Sequence, residues 1–349
     1  MPKSSKNRDN LILEFVESNP LCSSKEIHEG LGEKPGYATV KRILQKLLSE
    51  NLITKAGQGK GTKYKISQAY NLLRPIDAEQ YFRNEIDERS IRNSFNHSLI
   101  RETLNRISVF SKEELVHLSN LQNQYKKNIL KLSATEYHKE LERFAIDLSW
   151  KSSQIEGNTY SLLETERLLK EKETAAGKTK DEAVMLLNHK AALDFIIANP
   201  SYVKKMTVSI IEDIHSILIK DLGISRNIRN SMVGITGTNY KPLDNEFQIK
   251  ESLEDMCIVV NEKENIFERA LLVLVLISYI QPFADGNKRM ARIISNAILM
   301  NNNFCPISFR TVDSIDYKKA MLIFYEQNNI NAFKEIFINQ FEFAVETYF

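Results

Sequence analysis

The chain's 349 residues are 42% hydrophobic with a formal net charge of +2, which fits two or three folded domains and excludes a disordered chain. The apolar run 270–280 is shorter than the roughly 20 residues a membrane-spanning helix needs. Met1-Pro2-Lys3-Ser4-Ser5-Lys6 opens no signal-peptide core, so a cytoplasmic protein with no membrane partner is expected. Cys22, Cys257 and Cys305 form no Cys-x-x-Cys pair, which suits a reducing compartment, argues against structural zinc and makes them buried small hydrophobes.

In chain order, Leu11, Ile12, Phe15 and Val16 mark a first helix that stops at Asn19-Pro20. Ser23 and Glu26 have capping-box spacing for a short second helix carrying Ile27 and Leu31. A third shows Val40, Ile43, Leu44, Leu47 and Leu48 on one face, with Thr39, Lys41, Arg42, Gln45 and Lys46 away from it. Leu52-Ile53-Thr54 and Tyr64-Lys65-Ile66 bracket a glycine- and lysine-rich tip, as in a β-hairpin. Three helices and a basic hairpin resemble a winged helix-turn-helix domain. That resemblance implies a third helix in the major groove, with Thr39, Arg42 and Gln45 at base edges and Lys55, Lys60 and Lys63 on phosphates. Residues 1–66 hold 12 Lys and Arg against 7 Asp and Glu, while the remainder holds 35 against 38. This excess favours DNA as the partner of residues 1–68, although winged helices also dock proteins.

Residues 69–133 read as a helical connector, with Tyr70 to Asn96 charged and Ser111 and Glu114 capping a helix that bears Leu115, Leu118, Leu121, Tyr125 and Ile129. Tyr137, Leu141, Phe144, Ala145 and Leu148 mark the next helix. Ser161 and Glu164 cap another, and Val184, Leu187, Ala191 and then Ile210, Ile211, Ile214, Leu218 give the faces of two more. Gly177-Lys178-Thr179 ends like a phosphate-binding P-loop, but Lys172 stands where its first glycine belongs. Residues 234–242 alternate and turn like a short hairpin, or an ordinary loop between helices. Any of the six histidines could stand in as a base, and the sequence places none of them.

Between the apolar run and a second apolar helix pattern (Ile293, Ile294, Ala297, Ile298) lies Gln281-Pro-Phe-Ala-Asp-Gly-Asn-Lys-Arg-Met-Ala-Arg292. Free backbone N–H groups at the start of the second helix face an anion. Gly286 permits close approach, Asn287 offers an amide, Lys288, Arg289 and Arg292 supply cations, and Asp285 is a hard-oxygen ligand suited to Mg²⁺.

This stretch resembles the signature of Fic proteins, His-x-Phe-x-(Asp/Glu)-Gly-Asn-(Gly/Lys)-Arg-x-x-Arg, at Phe283, Asp285, Gly286, Asn287, Lys288, Arg289 and Arg292, and departs from it at Gln281. Ser152-Ser-Gln-Ile-Glu156-Gly157 is similar to the family's inhibitory motif; alone it reads better as a solvated helix end capped by Gly157, and the loop motif beside it reverses that preference. The resemblance covers Tyr137 to Phe349. It implies ATP held with Mg²⁺ by the 285–292 loop, AMP transfer to a hydroxyl of a protein target, Glu156 blocking the γ-phosphate through Arg292, and a flap at Ile235, Thr236, Gly237 and Thr238 that clamps the target. The catalytic position of the family histidine is held by Gln281, with Asn287 beside it in the loop. Glutamine has no titratable nitrogen, and losing a general base costs about 10²–10⁴-fold in rate.

The expected fold is mainly α: a Fic-type helical core with a short β-hairpin flap (134–349), the connector, and a small α+β winged-helix domain (1–68). The expected function is ATP-dependent AMP transfer to a protein hydroxyl, weakened at Gln281 and autoinhibited by Glu156. The alternative is a DNA-binding transcriptional regulator whose degenerate core senses nucleotide; removal of AMP through Glu156 is a third. A homodimer is expected by analogy.

Overall fold

In the computed structural model of the chain the described residues are 3–32, 35–67 and 69–349, with side chains described from Arg8 onward, Lys60 and its phosphate contact excepted. The chain forms two compact units, residues 1–75 with 107–115, and residues 76–106 with 116–349.

In the first unit, α1 (Lys3–Ser18), α2 (Ser24–Gly30) and α3 (Tyr37–Ser49) precede a two-stranded antiparallel sheet, β1 (Ile53–Ala56) and β2 (Lys63–Ile66), paired Ile53 to Ile66 and Ala56 to Lys63. Ser23 caps α2 through the reciprocal bonds with Glu26. Val40, Ile43, Leu44 and Leu47 of α3 are buried with Ile12, Val16 and Ile27. Gly57 enables the hairpin tip: its φ is +77°, and a Cβ there would lie 2.7 Å from the Gly61 carbonyl oxygen.

The second unit is helical: α4 (Lys112–Ile129), which begins in the first unit, then α5 (Ala134–Ile155), α6 (Leu162–Glu171), α7 (Lys180–Ala198), α8 (Val208–Leu218), α9 (Glu246–Glu262), α10 (Ile266–Ile280), α11 (Asn287–Asn301), α12 (Ser314–Gln327) and α13 (Asn331–Thr347). Every residue of α10 from Ala270 to Ile280 is buried, and α10 packs most extensively on α11. An apolar run with no polar face is stable as a helix when surrounded on all sides, each buried Leu, Ile or Val contributing about 1.5–3 kcal/mol. This pair carries the polar loop 281–286 between its two helices, with Pro282 and Phe283 buried and Ala284 and Asp285 exposed. Gln281 ends α10 at φ +51° and Gly286 starts α11 at φ +82°, so both turns lie in the left-handed region.

Three local expectations change. Tyr70 to Asn96 is not a continuous helix but two one-turn helices (Tyr70–Leu73, Ala78–Tyr81) and a 3₁₀ turn (Ile86–Glu88). Pro75 interrupts the helical ladder, and backbone donors beyond it bond elsewhere, Arg92 to the Glu326 carbonyl and Asn96 to the Tyr279 hydroxyl. Residues 234–242 form no paired hairpin; the arms flank a turn at Thr236-Gly237, and Lys241 makes an isolated parallel bridge with Ser94. Finally, the buried stripe of α7 is Ala183, Leu186, Ala192, Leu193 and Ile196, with Ala191 exposed, because α5, α6, α8 and α11 all pack on this helix. The P-loop decoy resolves as a cap: Thr179 receives Glu182 N–H in a capping box that starts α7.

Candidate functional site

The loop's shape is held by side chains as much as by backbone. Asn287 accepts the Phe283 N–H at 2.9 Å and donates its amide to the Phe283 carbonyl (2.7 Å) and to Gln281 Oε1 (3.0 Å). Gln281 in turn donates Nε2 to the Ser278 carbonyl in the last turn of α10 at 2.7 Å, so its amide ties the loop to that helix. Arg229 donates Nε to the Gln281 carbonyl at 2.6 Å, and its backbone N–H bonds the Pro282 carbonyl. His215 stacks on Phe283 with ring centroids 3.6 Å apart and meets the Asp285 carbonyl through Nε2 at 3.0 Å.

Three cations stand on α11. Arg292 is fully buried; it donates Nε to Ser152 Oγ and Nη2 to the Ser152 carbonyl, both at 2.8 Å, and Nη2 reaches Glu156 Oε1 at 3.0 Å. Its guanidinium lies over the Tyr317 ring. Lys288 Nζ holds the other Glu156 oxygen at 3.2 Å. Arg289, 1% exposed, donates Nη2 to Asp285 Oδ2 at 2.9 Å, while its Nε and Nη1 are buried without an acceptor. Such orphaned donors are costly unless an acceptor completes them.

Glu156 is the C-cap of α5 and is followed by Gly157 at φ +100°, so the helix ends where its carboxylate meets α11. Burial pushes the Glu156 carboxyl up, but Arg292 and Lys288 together bring it below the usual carboxylate range. Burial pushes His215 below its ordinary value and His189, fully buried and bonded to Ser149 Oγ, well below it. Both imidazoles are therefore neutral near pH 7.

A cavity of about 390 Å³ opens between these groups, lined by Glu156, Gln281, Asp285, Lys288 and Arg289 on one side and by Ile235 and Thr236 on the other. The structure thus brings together Glu156, the motif cations and the first half of the expected flap. Gly237 and Thr238 bond differently: the Gly237 carbonyl accepts from Arg89, and Thr238 Oγ1 accepts from the Tyr240 N–H. Arg229, His215 and Arg89 had no local motif to announce them. In the first unit Arg42, Gln45 and Lys55 are exposed, Thr39 is half-buried, and Lys63 pairs with Glu26 at 3.0 Å.

A cation-lined loop lies between two buried helices, with a carboxylate-ended helix laid on its arginine, and residues 205–299 match the Fic/DOC family model. Residues 7–123 match the penicillinase repressor family, so the chain carries a Fic domain behind a winged-helix region of repressor type. The chain is 30% identical over 173 residues to protein adenylyltransferase Fic of Nematostella vectensis, covering 48% of this chain and 40% of that protein. Against protein adenylyltransferase fic-1 of Caenorhabditis elegans it is 28% identical over 175 residues, covering 48% and 34%. The matches thus span less than half the length of these curated relatives. Among solved structures, Fic-1 residues 134–508 from C. elegans aligns with a TM-score of 0.59 and 21% identity, over 68% of this chain and 72% of that one. A Fic domain containing signalling protein from Bacteroides thetaiotaomicron aligns with a TM-score of 0.55 and 20% identity, over 66% and 92%. At these identities the likeness is one of fold.

Proposed function

We propose that the chain binds ATP in the 390 Å³ cavity and transfers AMP weakly to a protein hydroxyl, with Glu156 as a built-in brake. The carrying observation is that Arg292 is gripped by Ser152 and Glu156 while the buried donors of Arg289 await acceptors. Phosphate oxygens suit those donors, and the loop-to-helix turn at Gly286 adds backbone N–H groups. A third phosphate competes with the Glu156 carboxylate for Arg292 and Lys288. Asp285, its side chain 59% exposed, presents a single carboxylate beside this cradle. That fits Mg²⁺, which takes one or two carboxylates together with phosphate oxygens and neutralises their charge.

In AMP transfer the acceptor oxygen forms a bond to the α-phosphorus, the bond from that phosphorus to the bridging oxygen breaks, and pyrophosphate leaves. The acceptor proton must go to a base or to solvent. Gln281 cannot take it; its amide, bonded to Ser278 and Asn287, braces the loop instead. The same observation favours a second reading, a DNA-binding regulator whose core senses nucleotide, which the repressor-type region supports.

The discriminating experiment incubates the chain, Glu156→Gly, and Glu156→Gly with Gln281→His with Mg²⁺ and α-labelled ATP, alongside calorimetry. Labelling in the single variant supports transfer; labelling confined to the double variant supports the sensor. No ATP uptake by either variant removes both readings.

A further inference from the structure

The segment 76–106 leaves the first unit at Pro75 and rejoins it at Ile107, and between those points it belongs to the second unit. Within that unit it holds the loop 234–242. Arg89, its side chain 3% exposed, pairs with the fully buried Glu326 at 3.1 Å and donates Nη2 to the Gly237 carbonyl at 2.7 Å. Tyr81 donates its hydroxyl to the other Glu326 oxygen at 2.6 Å, and the Arg89 guanidinium lies 5.0 Å from the Phe82 ring centroid. Lys241 N–H bonds the Asn93 carbonyl, and Asn239 reaches Asp87.

The arms of this loop have no ladder between them, so their position depends on these bonds. Gly237 at the tip has φ +91°, a turn that concentrates the constraint where Arg89 grips it. Residues 233–236 wall the cavity that contains Gln281, and Val233, Gly234 and Ile235 also border, with 238–241, Asn93 and Met232, a neighbouring groove of about 530 Å³. The loop that Arg89 grips therefore lines the cavity holding Gln281 as well as the neighbouring groove. A guanidinium has a planar fork of donors that serves a carboxylate and a carbonyl at once; an ammonium on a flexible stem holds such geometry poorly.

We propose that Arg89, backed by Glu326, is a positioning residue that fixes the 234–242 loop and so presents the acceptor hydroxyl, independently of the grip on nucleotide. This rests on the AMP-transfer reading above. The test uses the full chain carrying Glu156→Gly and Gln281→His as parent, with self-labelling by α-labelled ATP as the acceptor probe. Arg89→Ala, Arg89→Lys and Glu326→Gln are compared, and amide hydrogen exchange is followed in the same proteins. Expected for Arg89→Ala is a tenfold or greater fall in maximal labelling rate, a KM for ATP within twofold of the parent, and tenfold faster exchange at Tyr240 and Lys241. The amides of α10 and α11 keep their protection. Arg89→Lys recovers part of the rate, and Glu326→Gln gives intermediate loop exchange. A KM for ATP rising in step with the lost rate, exchange accelerating equally in α10 and α11, or unchanged exchange at 234–242 overturns the role. A parent that neither binds nor labels removes the AMP-transfer reading and this role with it; an active parent with a normal Arg89→Ala removes this role alone.

Discussion

The two units use positive charge in opposite ways. In the first, Arg42 and Lys55 stand exposed, and the ion pairs Lys46–Asp9 and Lys63–Glu26 are formed largely at the surface. In the second, Arg289 and Arg292 are 1% and 0% exposed and already engaged with Asp285, Ser152 and Glu156. Exposed cations act through long-range, salt-screened attraction, and each is worth little as a contact within the fold. Buried cations sit where partners cannot be exchanged for water, so any ligand must displace or complete what is there. The first arrangement suits a partner met along a surface; the second suits a small anion admitted under control.

The sharpest way to break this contrast is Arg292→Ala. Removing one member of a buried, multiply bonded ion pair costs about 3 kcal/mol, measured by urea unfolding, and a loss below about 1 kcal/mol would mean the cation is not structurally committed. Asn287→Ala follows, at about 2 kcal/mol, because it strips the buried Phe283 N–H of its acceptor; unchanged stability would show that the loop holds its shape without that brace.

The Glu156 clamp gives a pH signature. Its folded pKa lies below the usual 4.5, so the stability it adds is fully present above the unfolded value and is lost as pH falls through the folded one. The melting difference between the chain and Glu156→Gln should therefore stay flat between about pH 8 and pH 5.5 and shrink only under acid conditions. A difference already vanishing near neutrality would separate Glu156 from its two cations.

The smallest effects belong to the first unit. If it binds DNA, Lys55→Ala should reduce the slope of log affinity against log salt by about 0.9 while changing stability by no more than about 0.5 kcal/mol. Glu26→Gln should steepen that slope by releasing Lys63, and binding insensitive to salt in all forms would point to a protein partner for the wing.

Much of the fold was legible because its signals are local. The capping boxes at Ser23, Ser111 and Ser161 start the helices their spacing announces, and the uninterrupted apolar run of α10 foretold a helix buried all round. The polar turn after α10 and the helix start that follows it were legible for the same reason, since their signals lie within one short stretch. Their supports were not. Arg229, His215 and Arg89 are single residues more than 40 positions from the groups they hold, and neither spacing nor composition distinguishes them from surface charges. The 234–242 arms misled because alternation describes a strand's faces but not whether a partner strand is there to pair.

From the sequence by itself came the helical class, the basic N-terminal unit and the anion-seeking turn, all consequences of neighbouring residues acting on one another along the chain. Tertiary structure alone decided that Glu156 closes on both Lys288 and Arg292, and that segment 76–106 grips the 234–242 tip. The reason is physical: a buried polar group takes whichever partner the packing of apolar helices brings within about 3 Å, and that pairing is settled by how the cores fit together.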